Sequence, residues 1–316
     1  MSTKSLKRAR KEKNDEFYTK KKDIESELVH YHKHLKDKIV YCNCDDYGKS
    51  KFVEYFMENF EKIGLKKLIS TGFSKDGQGT YSEYDGTTLK MGFLNGNGDA
   101  LGEECTEILK QADVVITNPP FSLFRKYVSH LMKYGKKFLI IGNKNAITYK
   151  EIFPYIKDNE LWLGITNPDE YRLPSGEITQ SVKGLCRWFT NIPHNHRNEP
   201  LDLYKKYSAD EYPKYDNYDA IEVSKVSEIP MDYDGVMGVP ITFLDKYCPT
   251  QFEILWLASG HSKTTMPKDI AEMLNADFEM KSKENTGNGY AILDRHQLYH
   301  RILIRRKKAE PIVEGK

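Results

Sequence analysis

Between residues 39 and 143 the sequence alternates short apolar runs with amphipathic ones, and that alternation limits the fold more than any other feature. "IVYCNC" at 39–44 reads as a buried strand, and "KSKFVEYFMENFEKI" after it carries apolar residues at helical spacing, closed by Gly64. "KKLIST" is a second strand, "CTEILKQA" a short helix, "DVVIT" a third strand, "SLFRKYVSHLMKYG" a helix closed by Gly135, and "KKFLIIGN" a further strand. Strands alternating with helices specify an α/β fold whose parallel sheet is covered on both faces. The stretch at 71–98, rich in Gly, Asp, Ser and Thr, breaks the rhythm and reads as one long irregular connection, functional rather than idle.

After "YKEIFPYIKDN", the runs "ELWLGIT" and "GLCRWFTNI" flank a polar piece holding Pro168, Pro174 and Gly176, and fit an antiparallel hairpin that closes the sheet. From residue 193 the texture changes to tyrosines, prolines and short isolated strands such as "GVMGVPITFL" and "YHRILIRR", an α+β pattern. The chain of 316 residues therefore reads as two domains, 1–192 and 193–316. No apolar run approaches the ~20 residues that cross a bilayer. The basic N-terminus "MSTKSLKRARKEKNDEF" lacks the apolar core and cleavage site of a signal peptide, so a soluble, cytoplasmic protein with no membrane partner is expected. Five cysteines without a framework spacing point to reduced thiols. A net charge of +2 does not announce nucleic acid, but Lys4, Lys7, Arg8, Arg10, Lys11 and Lys13 cluster at one end and Arg301, Arg305, Arg306, Lys307 and Lys308 at the other. Such clusters either neutralise phosphates or are solvated tails.

"ADVVITNPPFSLF" ends a strand on Asn118, Pro119, Pro120 and Phe121. Ligands of open α/β sheets bind beyond the carboxyl ends of the strands. Each proline fixes φ and offers a carbonyl with no N–H of its own, so the tetrad forms a stiff turn presenting acceptors. The exocyclic amine of adenine is a poor nucleophile because its lone pair is delocalised into the ring. With the Asn118 side-chain oxygen and the Pro119 carbonyl each accepting one amine hydrogen, that nitrogen can pyramidalise and attack an electrophilic methyl group. Positioning and electrostatics carry such a step without a strong base. Phe121 supplies a face on which a base extruded from its duplex can stack. The plainer alternative is a rigid strand-to-helix turn and nothing more; the place of the tetrad between "DVVIT" and an amphipathic helix favours the methyl-transfer site.

The tetrad resembles the catalytic motif of amino-methylating DNA methyltransferases. Extended along "TNPPFSLFRKYV", "KKFLIIGNKNAITYKEIF", "YPKYDNYDAI" and "GVMGVPITFL", the chain is similar to the EcoRI-type adenine-specific DNA methyltransferases, least so at 71–98, 166–186 and 257–300. The resemblance implies a Rossmann-like, S-adenosylmethionine-dependent methyltransferase sheet in 1–192 and an added α+β region in 193–316 that recognises double-stranded DNA. It implies transfer of the methyl of S-adenosyl-L-methionine to the 6-amino group of a flipped adenine, and a restriction endonuclease as functional partner of a monomer. Methylation of adenine in RNA or of glutamine in protein uses a similar turn and stands as a rival, beside a non-catalytic DNA-binding module.

On the same resemblance Asn118, Pro119, Pro120 and Phe121 are the catalytic residues, with Asn118 also touching the cofactor. "VYCNCDD" sets Asn43, Cys44, Asp45 and Asp46 where relatives carry a Gly-rich loop. Either Asp45 or Asp46 takes the ammonium group of the methionine moiety, or the loop is an ordinary Asp/Asn turn. The acidic residue that would hold the ribose is missing from "KKLISTGF". "NGNGDA" resembles the motif whose Asp, here Asp99, accepts from the adenine amine of the cofactor. "NDEFYT" is similar to the segment that folds over the methionine end in permuted adenine methyltransferases, making Phe17, Tyr18 and Thr19 candidates; by composition it is only the junction of a basic tail and a helix.

For DNA contact, "YKKYSADEYPKYDNYDAI" interleaves Tyr204, Tyr207, Tyr212, Tyr215 and Tyr218 with Lys205, Lys206 and Lys214. This is either a DNA-facing wall or the tyrosine-rich core of a small α+β unit. Asn143 and Asn145 end another strand, lining the target pocket or capping the next helix. Cys42 and Cys44 are too close for a usual zinc pair and His194 to His196 have no matching ligand cluster nearby in sequence, so no metal is expected.

Overall fold

The computed structural model describes residues 18–168, 171–172, 178–179, 184–284 and 289–307. Strands β1 (Ile39–Cys42), β2 (Lys67–Gly72), β3 (Thr80–Tyr84), β4 (Leu89–Phe93), β5 (Val114–Thr117), β6 (Lys137–Asn143), β7 (Trp162–Leu163) and β8 (Cys186–Thr190) form one sheet, ordered β4-β3-β2-β1-β5-β6-β8-β7. The four middle strands β2, β1, β5 and β6 are parallel, with Tyr41 opposite Ile69 and Val115, and Val115 opposite Phe138. Every residue of β5 is buried, the signature of a strand covered on both faces. On one face Ile24 and Leu28 of α1 (Lys21–Leu28) and Phe52 and Phe56 of α2 (Lys51–Glu58) share a core with Val40, Val114, Ile116, Leu139 and Trp188. On the strand positions between these, Phe189 meets Phe124 of α4 (Phe124–Lys133) edge to face at 5.0 Å. A further helix, α3 (Glu103–Gln111), precedes β5.

The antiparallel closure expected beyond β6 is present: β8 pairs with β6, Trp188 opposite Ile141, and β7 pairs with β8, Phe189 opposite Leu163. The long irregular connection expected at 71–98 is not. β3 and β4 form a hairpin there and extend the sheet by two strands, Thr80 opposite both Gly72 and Phe93. The turn is built on Asp85, whose Oδ1 accepts from the N–H groups of Thr87 (3.0 Å) and Thr88 (2.7 Å). Those bonds stabilise the ionised carboxyl and hold it down at about 2. An Asp-Gly pair between alternating runs is the signal that the Gly/Ser composition hid.

By internal contacts the described residues of Met1–Ala146 and Leu161–His194 make one unit, and Ile147–Glu160 with those of Asn195–Lys316 a second. Residues 147–160, which precede the expected boundary, thus group with the second unit. That unit holds a four-stranded sheet of β9 (Ile221–Glu222), β10 (Met237–Pro240), β11 (Phe252–Ala258) and β12 (Arg301–Arg306), ordered β9-β10-β12-β11. Tyr212 and Tyr215 belong to its interior and not to a DNA-facing wall, each only 5% exposed. The Tyr212 hydroxyl donates to the Glu228 carbonyl at 2.7 Å and that of Tyr215 to Glu222 Oε2 at 2.5 Å, so a small core satisfies its buried phenols inward. All five cysteines are free thiols, and no helix among the described residues is long and apolar enough to cross a membrane.

Candidate active site

From β1 the chain moves outward to β2 and then returns to the other side of β1 to make β5, so the strand order reverses between β1 and β5. Loops leaving the carboxyl ends of two such strands diverge and open a crevice. The loop after β1 carries Asn43 to Asp46; the loop after β5 carries Asn118 to Phe121.

Asp45 knits the floor of the crevice. It is 7% exposed, its N–H donates to the Thr71 carbonyl at 2.9 Å, and its carboxylate accepts from the hydroxyls of Ser50 (2.5 Å) and Thr117. Ser50 is at the same time the N-cap of α2, accepting from the Phe52 N–H at 3.1 Å. One residue therefore ties together the ends of β1, β2, β5 and α2, its N–H holding β2 and its carboxylate β5 and α2. Its neighbour Asp46 turns to the end of β2, accepting from Thr80 Oγ1 and sitting 3.4 Å from Lys49 Nζ. Gly72 makes room for it, since a Cβ there would lie 1.9 Å from Asp46 Oδ1.

Asn43 is 1% exposed and its Oδ1 accepts from the buried Tyr127 hydroxyl on α4. Burial pushes the Tyr127 phenol well above its ordinary pKa, so it remains a donor. The Asn43 Nδ2 is buried with no partner among the described residues. A buried donor left unmade is costly, and an acceptor brought by a ligand at the crevice would complete it. Asp99 arrives by a backbone-to-backbone approach. Gly98 has φ +79°, and a Cβ on it would stand 2.3 Å from the Gly72 carbonyl oxygen, so only glycine lets "NGNGD" close over the end of β2. The exposed Asp99 side chain accepts from the Leu101 N–H at 3.0 Å.

On the other wall the Asn118 Nδ2 donates to Thr19 Oγ1 at 3.3 Å across 99 residues of sequence. Thr19 is 5% exposed, and the strand Tyr18–Thr19 pairs antiparallel with Tyr171–Arg172. That bond fixes which end of the Asn118 amide is the acceptor. Among the described residues no hydrogen bond reaches the Pro119 carbonyl, whereas the Pro120 carbonyl accepts from the Leu123 N–H at 3.0 Å and so starts α4. Phe121 is half-buried, leaning on the core without being enclosed by it.

The fold thus gathers Thr19, Asn43, Cys44, Asp45, Asp46, Asp99 and the Asn118 to Phe121 turn at one end of one sheet; Phe17 lies outside the described residues. Asn143 ends β6, beside β5, and its Oδ1 accepts from the Asn145 N–H at 2.8 Å. Of the remaining candidates, Lys206 and Lys214 are exposed and Lys205 half-buried, with Lys214 paired to Asp219 at 3.1 Å. Sequence reasoning missed Ser50, Thr80 and Tyr127. Ser50 was findable as a Ser directly before an amphipathic run; the other two act only through tertiary contact.

Residues 5–307 match the family of the adenine-specific methyltransferase EcoRI. The chain is similar to the type II methyltransferase M.EcoRI of Escherichia coli, 46% identical with 82% of this chain and 90% of the relative covered. It is also similar to M.MgeORF184P of Mycoplasma genitalium and M.MpnI of Mycoplasma pneumoniae, each 41% identical over 78% of this chain and 84% of the relative. No solved structure matches.

Proposed function

The chain belongs to the adenine-specific EcoRI methyltransferase family, and from that premise we propose that it methylates the 6-amino group of an adenine flipped out of double-stranded DNA. The observation that carries the chemistry is the Asn118-Pro119-Pro120-Phe121 turn at the strand-order reversal, with the Asn118 amide oriented by Thr19 and the Pro119 carbonyl accepting from no described residue. Those two acceptors take the two amine hydrogens and free the nitrogen lone pair; the prolines keep them in place during the attack. Phe121, half-buried against the core, stacks on the base. S-adenosyl-L-methionine, when bound, supplies the electrophilic methyl group. Asn43 Nδ2 and the Asp45 and Asp46 carboxylates would hold its methionine end, with the Tyr18–Thr19 strand beside it and Asp99 towards its adenine.

The first unit is read as the catalytic domain and the second as the target-recognition region. There Lys205, Lys206 and Lys214 neutralise phosphates, with the 65% exposed ring of Tyr204 beside them, and Asn143 and Asn145 approach the target base from the catalytic unit. The protein acts as a cytoplasmic monomer whose functional partner is a restriction endonuclease blocked by the methylated site. Replacing Asn118 by Ala is expected to lower methyl transfer to duplex DNA by about 10²-fold or more, the scale of one lost transition-state contact, while leaving the cofactor Kd within about threefold. Transfer of labelled methyl to DNA, read beside calorimetric titration of S-adenosylmethionine, makes the test; retained turnover removes Asn118 from this role.

A further inference from the structure

A cavity of about 240 Å³ opens in the second unit at the carboxyl end of β11, facing the segment 148–154. Two rings form its walls, Trp256 from β11 and Phe153, set edge to face with centroids 5.9 Å apart. Both are anchored in the unit's interior, Phe153 2% and Trp256 9% exposed, so the walls are preformed. The hydroxyls of Thr148 and Ser259 line it, and the exposed side chains of Lys150 and His261 stand at its mouth. None of the lining residues is acidic.

Each feature narrows the occupant. Aromatic walls favour a planar ring. A lysine at the mouth of a cavity lined by no acidic residue favours an anion over a cation. The volume falls below the roughly 300–1,000 Å³ of sites for larger ligands, which leaves space for one base but not for two. A ring joined to an anionic group at that size is a single nucleotide. Resting on the DNA-methylating reading above, we infer that this pocket takes one unstacked nucleotide of the bound DNA, a second capture site besides that of the target adenine. Contact between a base and an aromatic ring is tolerant of sequence, so the pocket would hold the strand more than read it.

The test uses the full chain with ¹⁵N-labelled tryptophan, whose three indoles give three signals, Trp256→Phe serving only to assign the one of interest. Titration with 2′-deoxyadenosine 5′-monophosphate is expected to shift the Trp256 signal saturably, inorganic phosphate to leave it still, and Lys150→Ala to weaken the nucleotide about tenfold, one charge-assisted contact. A duplex that the wild-type chain methylates is expected to shift the same signal, and iodouracil placed along that duplex to crosslink to Trp256 or Phe153. A Trp256 signal unmoved by the nucleotide, or moved equally by phosphate, overturns the pocket. So does a methylated duplex that neither shifts nor crosslinks, an outcome that leaves adenine methylation standing. A chain that binds no duplex at all ends both readings.

Discussion

Gly72 shows how much rests on single atoms in this site. Its missing Cβ is the space that Asp46 occupies, so Gly72→Ala is expected to push the carboxylate off Thr80 and weaken S-adenosylmethionine about tenfold in a calorimetric titration. An unchanged Kd would take Asp46 out of the cofactor's ammonium site. A second residue reports on the other unit. His300 lies between the rings of Tyr290 and Tyr299, at 5.3 and 4.6 Å, and burial lowers its pKa from 6.5 to about 4. Between those values the unfolded chain binds more protons than the folded one, so His300 costs stability progressively as pH falls from 6.5 to 4 and nothing above 6.5. Urea midpoints measured across that window should slope upward with pH, and His300→Gln should flatten the slope; an unaltered slope would place the imidazole in contact with water. Neither residue is legible from its neighbours in sequence. A glycine after a strand and a histidine after a tyrosine are ordinary until another segment is laid against them.

Helix α2 joins local and tertiary order in one residue. Ser50 caps its first turn and donates to Asp45, so Ser50→Ala removes both a cap and a partner of a buried carboxylate. A loss of about 1–3 kcal/mol in urea unfolding is expected, larger than a cap alone contributes. A loss under about 0.5 kcal/mol would mean that Asp45 is satisfied without it. The parallel strands were readable at this scale because β5 and β6 carry the unbroken apolar runs Val114–Ile116 and Phe138–Ile141, buried on both faces. The apolar spacing is followed as far as Gly64: α2 breaks at Asn59, whose side chain donates back to the Tyr55 carbonyl at 2.9 Å, and a further helical turn, Phe60–Ile63, closes on Gly64 at φ +74°. The hairpin of β3 and β4 escaped the sequence reading because the Gly, Asp, Ser and Thr around it masked the alternation of Leu89, Met91 and Phe93, of which Met91 and Phe93 are 65% and 74% exposed and join no core.

Among the described residues each unit carries its own hydrophobic core, one around Val40, Ile116, Phe56 and Trp188, the other around Tyr215, Leu255, Trp256 and Leu303. Heating the full chain in a calorimeter should therefore give a measured enthalpy above the van't Hoff value, since separate cores melt as separate units. Equality of the two would show that they unfold as one. The tyrosine-rich stretch marks the limit of reading at this scale. Tyr204 lies on the surface at 65% exposed while Tyr215 is 5% exposed, although both sit among lysines and turn residues. The order of letters by itself determined the alternating architecture, the stiff corner after β5 and the kinship of the chain, because apolar periodicity and proline geometry act over a few residues. Only the folded chain decided that Thr19 meets Asn118, that Tyr127 meets Asn43 and which tyrosines are core. Those contacts join segments tens of residues apart, and no local preference encodes which distant partner arrives.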